Sequence, residues 1–84
     1  MTFNPEIANT LPNGARIIDR RKIGDTWVWL ADFGGAQPYV TWVSDAGCPG
    51  ETVWGHYTSS FKKAYDDFCE RIAQQCQYLE SFVS

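Results

Sequence analysis

Three features of the chain predict an α+β fold, a four-stranded antiparallel meander sheet with a long C-terminal helix packed on one face. The segments PYVTWVS (38–44) and ETVWGHY (51–57) are rich in the β-branched and aromatic residues that suit a pleated surface. Every connection between strand candidates is short, which fits antiparallel hairpins and leaves no room for parallel crossovers. The last segment then places Phe61, Ala64, Tyr65, Phe68, Ile72, Cys76, Leu79 and Val83 at helical spacing, as one apolar stripe.

The elements follow in order. Asn4-Pro5-Glu6 has the form of a helix start, with Asn as N-cap, Pro at the first helical position and Glu at the positive end of the dipole. Such a helix would run one or two turns before Leu11-Pro12-Asn13-Gly14 ends it, and a loosely attached arm over residues 1–14 fits equally well. Arg16 to Ile23 is the first strand, and Gly24-Asp25 is a two-residue hairpin turn. Thr26 to Phe33 is the second strand. Gly34 to Gln37 is a loop, and Pro38 opens the third strand, where a missing N–H is tolerated. Asp45 to Gly50 forms a longer turn before the fourth strand, Glu51 to Tyr57, which closes a sheet over 16–57.

The helix occupies 59–83, with Ser59 as N-cap and Thr58 or Ser60 as alternatives. It has no capping box, and Lys62 and Lys63 sit where the dipole favours anions. Packing on the sheet must therefore hold it. A helix from Phe61 to Phe82 is about 33 Å long, against about 23 Å for a seven-residue strand. Unless the helix crosses diagonally, Tyr78, Leu79, Phe82 and Val83 need cover. Phe3, Ile7 and Leu11 of the arm are expected to give it, with a second subunit through the C-terminal helix as the other source.

Eighty-four residues make one domain, and a chain this short buries roughly 60–65% of its unfolded surface. That size favours a surface-binding module over a deep catalytic cleft. The net charge of −3 argues against direct nucleic-acid binding, which needs a basic footprint. Of the three cysteines, Cys69 and Cys76 lie about 10 Å apart along the helix, too far for a disulfide. Reduced thiols and a cytoplasmic location are expected. Met1 to Leu11 has neither the basic start nor the apolar run of a signal peptide, and no run reaches membrane-spanning length.

Catalytic and metal signatures are absent from the motifs, so no enzyme activity and no cofactor is expected. His56 is the one histidine and has no titratable neighbour in sequence to make it a general base. Cys48, His56, Cys69 and Cys76 match no zinc spacing. The Gly34-Gly35 and Gly47–Gly50 segments lack the motif and following helix of a phosphate loop. Asp66-Asp67 reads as a solvated helix face.

A binding surface is the remaining candidate. With Gly24-Asp25 as the turn, Ile23 pairs with Thr26, Lys22 with Trp27, Arg21 with Val28 and Arg20 with Trp29. One face then carries Ile18, Arg20, Lys22, Trp27 and Trp29, the other Ile17, Asp19, Arg21, Ile23, Val28 and Leu30. The helix is expected on the aliphatic face, leaving the tryptophans open to water beneath Arg20 and Lys22. Trp54 and His56 share a face of their own strand. Trp, Tyr and Arg are enriched at interface hot spots, although aromatics in a small chain commonly build the core. The candidate partner surface comprises Arg20, Lys22, Trp27, Trp29, Trp54 and His56, together with the acidic helix residues Asp66, Asp67 and Glu70.

Pro38-Tyr39-Val40-Thr41-Trp42, Gly55-His56-Tyr57 and the helix residues Phe61, Ala64, Asp67, Phe68 and Arg71 resemble a group of small uncharacterised proteins of bacteria, phages and other mobile elements with a PYVTW…GHY core. The resemblance covers about residues 16–72 and carries no catalytic residue; the arm and the tail lie outside it. It implies a protein that acts in a bacterial host cell and blocks a host protein or ribonucleoprotein machine by stoichiometric binding, with CRISPR–Cas complexes as the leading partner; a monomer is the state expected from cover of the helix end by the arm. Two alternatives stand beside this expectation. One is a single-stranded nucleic-acid binder that stacks bases on Trp27 and Trp29. The other is a homo-oligomeric structural module.

Overall fold

The computed structural model describes residues 3–83, with side chains through residue 81. Four strands, β1 (Arg16–Ile23), β2 (Thr26–Asp32), β3 (Tyr39–Asp45) and β4 (Val53–Thr58), precede one helix, α1 (Phe61–Val83). The strands form one sheet in the order β1-β2-β3-β4, each neighbouring pair antiparallel. This is the α+β meander that the short connections predict.

The first hairpin has the expected register, with Ile23 opposite Thr26, Lys22 opposite Trp27, Arg21 opposite Val28 and Arg20 opposite Trp29. Farther along β1 the pairing shifts between Ile17 and Asp19. Ile18 is thereby the extra residue of a bulge. The shift turns Ile17 to the tryptophan face, where it packs against that cluster, and leaves Ile18 exposed. The expected placement of Ile17 on the aliphatic face is corrected accordingly.

The sheet is covered on both sides. Val28 and Leu30 of β2 meet Ala64 and Phe68 of α1, with Ile23, Tyr39, Val43 and Ile72 around them. On the other side Trp27, Trp29, Ala31, Val40 and Trp42 pack with Leu11 and Ala15, and Phe3 lies against them. The expectation of an open tryptophan face is therefore corrected at Trp27 and Trp29, which are buried. The reason is area: each large aromatic removes about 150–250 Å² from water, and the arm segment is the nearest apolar cover. That segment holds no helix beyond a single turn at Pro5–Ile7. Its backbone is tied to the start of β1, with Ile17 N–H donating to the Asn9 carbonyl at 2.9 Å and Leu11 N–H to the Ala15 carbonyl at 2.8 Å.

The arm thus covers the face opposite the helix and not the helix overhang. Ile7 is 74% exposed, and the end of α1 reaches the β1–β2 turn instead. Leu79 sits so close to Gly24 that a Cβ there would lie 2.9 Å from Leu79 Cδ1. Gly24 also has a φ of 60°, so the turn and the helix approach both call for glycine. Tyr78 stays largely exposed; the expected cover of Phe82 and Val83 falls on side chains outside the described residues. At the other end, Ser60 and not Ser59 is the N-cap: its Oγ accepts from Lys63 N–H at 3.2 Å. No acidic residue stands in the first turn and no basic one in the last, so the helix relies on its packed face. Among the described residues, no helix is long and apolar enough to cross a membrane.

Candidate functional site

The site lies where β4 leaves regular pairing and faces α1. Between Thr41↔His56 and Val43↔Val53 the β3–β4 register shifts, so Trp54 and Gly55 stand opposite Trp42 alone. Trp54 adopts a φ of 56°, a left-handed conformation that a bulky residue rarely takes. The residue is 77% exposed. Gly55 permits the bulge, because a Cβ there would lie 2.6 Å from Trp42 Nε1.

Asp67 holds this region together. Its Oδ2 accepts from the buried Thr41 hydroxyl of β3, from His56 Nδ1 of β4 at 3.0 Å and from Arg71 Nε of α1 at 3.1 Å. Arg71 then donates from Nη2 to the Trp54 carbonyl. The helix thus clamps two strands and the strained residue through one carboxylate. Partial burial pushes Asp67 up. The hydrogen bonds from Thr41 and His56 and the charges of Arg71 and His56 outweigh it, and hold the carboxyl below its ordinary value.

A groove of about 490 Å³ opens beside this clamp, lined by Val43, Trp54, His56, Asp67, Glu70, Arg71, Gln74, Gln75 and Tyr78. Glu70, Gln74 and Tyr78 recur at i+4 along one helix face, as do Asp67, Arg71 and Gln75, so the wall is made of adjacent ridges. The Arg71 side chain is only 10% exposed, its nitrogens turned to Asp67 and the Trp54 carbonyl.

Of the sequence candidates, Trp54, His56, Asp67 and Glu70 come together in this groove. Asp66 does not; it is exposed and pairs with Lys62 at 2.8 Å. Asp67 is half-buried and bonded, which corrects its reading as part of a solvated face. His56 does have a titratable partner, eleven residues away in sequence. On the far side of the sheet, Arg20 lies 6.0 Å from the Trp29 ring and donates to the Pro5 carbonyl at 2.9 Å. It fastens the arm over the tryptophans. Lys22 is exposed on the outer strand. Trp27 and Trp29 stack with ring centroids 5.2 Å apart, and Trp29 Nε1 donates to Ser44 Oγ at 2.9 Å. Ser44 in turn donates to the Pro49 carbonyl at 2.8 Å, which satisfies both buried groups.

Sequence reasoning missed Val43, Arg71, Gln74, Gln75 and Tyr78 as site residues. The available signal was the i,i+4 pair Asp67 and Arg71. Among the described residues no group of His, Cys, Asp and Glu is placed to hold a metal ion, and Cys48, Cys69 and Cys76 are free and exposed.

The fold and the groove define an α+β protein with one wall of a cleft built on a sheet edge and the other on a helix. In comparisons with family models, curated proteins and solved structures, nothing matches this chain.

Proposed function

We propose that this protein is a non-enzymatic binding module that grips a partner protein in the groove around Trp54. One observation carries the reading: a tryptophan stands exposed in a left-handed backbone conformation and is pinned there by Arg71. Such a conformation costs about 1–3 kcal/mol and is found chiefly at functional sites. Exposed Trp with a polar rim is the composition of an interface hot spot. The hydrogen-bonded surround of Asp67 presets the groove, which lowers the ordering cost of binding.

The resemblance to mobile-element proteins supplies the partner class: a host protein or ribonucleoprotein machine, inhibited by occupancy, with CRISPR–Cas complexes the first to test. Base stacking on Trp27 and Trp29 loses its support because both are buried.

The test is a tagged pulldown from nuclease-treated bacterial lysate containing CRISPR–Cas complexes, read by mass spectrometry, with Trp54→Ser alongside. A Cas subunit retained by the wild type and lost with Trp54→Ser is the expected result. Recovery of nucleic acid alone, or of nothing but the protein itself, overturns the reading.

A further inference from the structure

We infer that the groove receives an arginine side chain of the partner, its guanidinium laid on Trp54 and paired with Glu70. The inference deepens the binding-module reading and rests on it. It follows from where the charges of the groove are already engaged. Arg71 is turned inward, with Nε on Asp67 and Nη2 on the Trp54 carbonyl. Asp67 is taken up by Thr41, His56 and Arg71. Glu70 is different: it is exposed, and its described contact is the neutral amide of Gln74 at 3.4 Å. Of the two carboxylates in the lining, Asp67 is paired with Arg71 and His56, and Glu70 has no cationic partner among its described contacts. The carboxylate open to a cationic occupant is therefore Glu70, which shares the groove lining with the exposed indole of Trp54.

A cation over an indole face is attracted by the ring quadrupole. A planar guanidinium meets both features at once, since it stacks on the ring and offers a fork to the carboxylate. An ammonium is more strongly hydrated and cannot stack as a plane. Gln74 and Gln75 add amide oxygens for the remaining N–H groups. An anionic occupant would face Glu70 with the groove's own arginine unavailable.

The experiment is a titration of ¹⁵N-labelled full-length protein with acetylated, amidated Gly-Arg-Gly, followed by NMR. Gly-Lys-Gly, Gly-Gln-Gly and Gly-Glu-Gly serve as comparisons. The arginine peptide should give saturable shifts of the Trp54 indole N–H and of the Glu70 and Gln74 signals. Binding should be weaker for the other peptides and about three- to fivefold weaker in Glu70→Gln. No saturable shift, equal binding of the lysine peptide, or unchanged binding in Glu70→Gln overturns the inference. Its failure is separable from that of the module reading. Capture of a Cas subunit through Trp54 without an arginine shift removes only the inference. An arginine shift without capture removes only the proposed partner.

Discussion

Trp29 and Trp54 are the same side chain on strands of the same sheet, and their surroundings are opposite. Trp29 is fully buried, stacked on Trp27 and hydrogen-bonded through its indole N–H. Trp54 is 77% exposed, on a left-handed backbone, with its carbonyl held by the helix. Residue type does not separate a buried from an exposed tryptophan. Position does: β2 is a central strand covered on both faces, whereas β4 is an outer strand interrupted by a bulge.

The comparison breaks most visibly at Trp29. Trp29→Ala should cost about 3–5 kcal/mol, as a large buried aromatic lost from a core, and lower the urea midpoint accordingly. A midpoint close to wild type would mean that the arm does not seal this face.

Asp67 ties the helix to β3 and β4 beside Trp54. Asp67→Asn should cost about 1–3 kcal/mol at neutral pH, since it weakens three hydrogen bonds. The pH dependence has a definite sign. The folded carboxyl lies below its ordinary 3.8, so on acidification the unfolded chain takes up the proton first. This contribution is present above about pH 4 and is lost as the pH falls through the folded value. Acid titrations of stability should show a shallower decline in Asp67→Asn than in wild type.

Gly55 tests the bulge itself. Gly55→Ala places a methyl group 2.6 Å from Trp42 Nε1 and 3.0 Å from Tyr57 Cε1, and should destabilise by about 1–3 kcal/mol through overpacking. The accompanying shift of β4 should appear in the Trp54 indole N–H signal. Lys62→Met sets the lower end of the scale. Its pair with Asp66 is solvent-exposed, and no measurable change in the urea midpoint is expected.

Much of the fold was legible in the chain. Gly24-Asp25 determined the first register, and the stripe of Ala64, Phe68, Ile72 and Leu79 identified the packed face of the helix. The covered tryptophan face is also legible in β2. From Trp27 to Ala31, β2 has no polar residue, which is the pattern of a strand buried on both faces. The bulge at Ile18 has no such mark, and strict alternation along β1 therefore places Ile17 on the wrong face. The clamp was out of reach for a different reason. Thr41 and Asp67 are 26 residues apart, and their meeting depends on a loop, a bulge and a helix crossing that local patterning does not encode. Four of the nine residues that line the groove, Trp54, His56, Asp67 and Glu70, are legible from side-chain type, but their grouping comes only with the three-dimensional arrangement.

The most direct measurement is a pair of readings on Trp54→Asn, its urea midpoint and its binding of the Gly-Arg-Gly peptide. Asparagine accepts the left-handed conformation with less strain. The variant should keep a stability within about 0.5 kcal/mol of wild type, or above it, and lose peptide binding. A loss of about 2 kcal/mol or more would make Trp54 a structural residue like Trp29, and retained binding would place recognition elsewhere; either result contradicts the account.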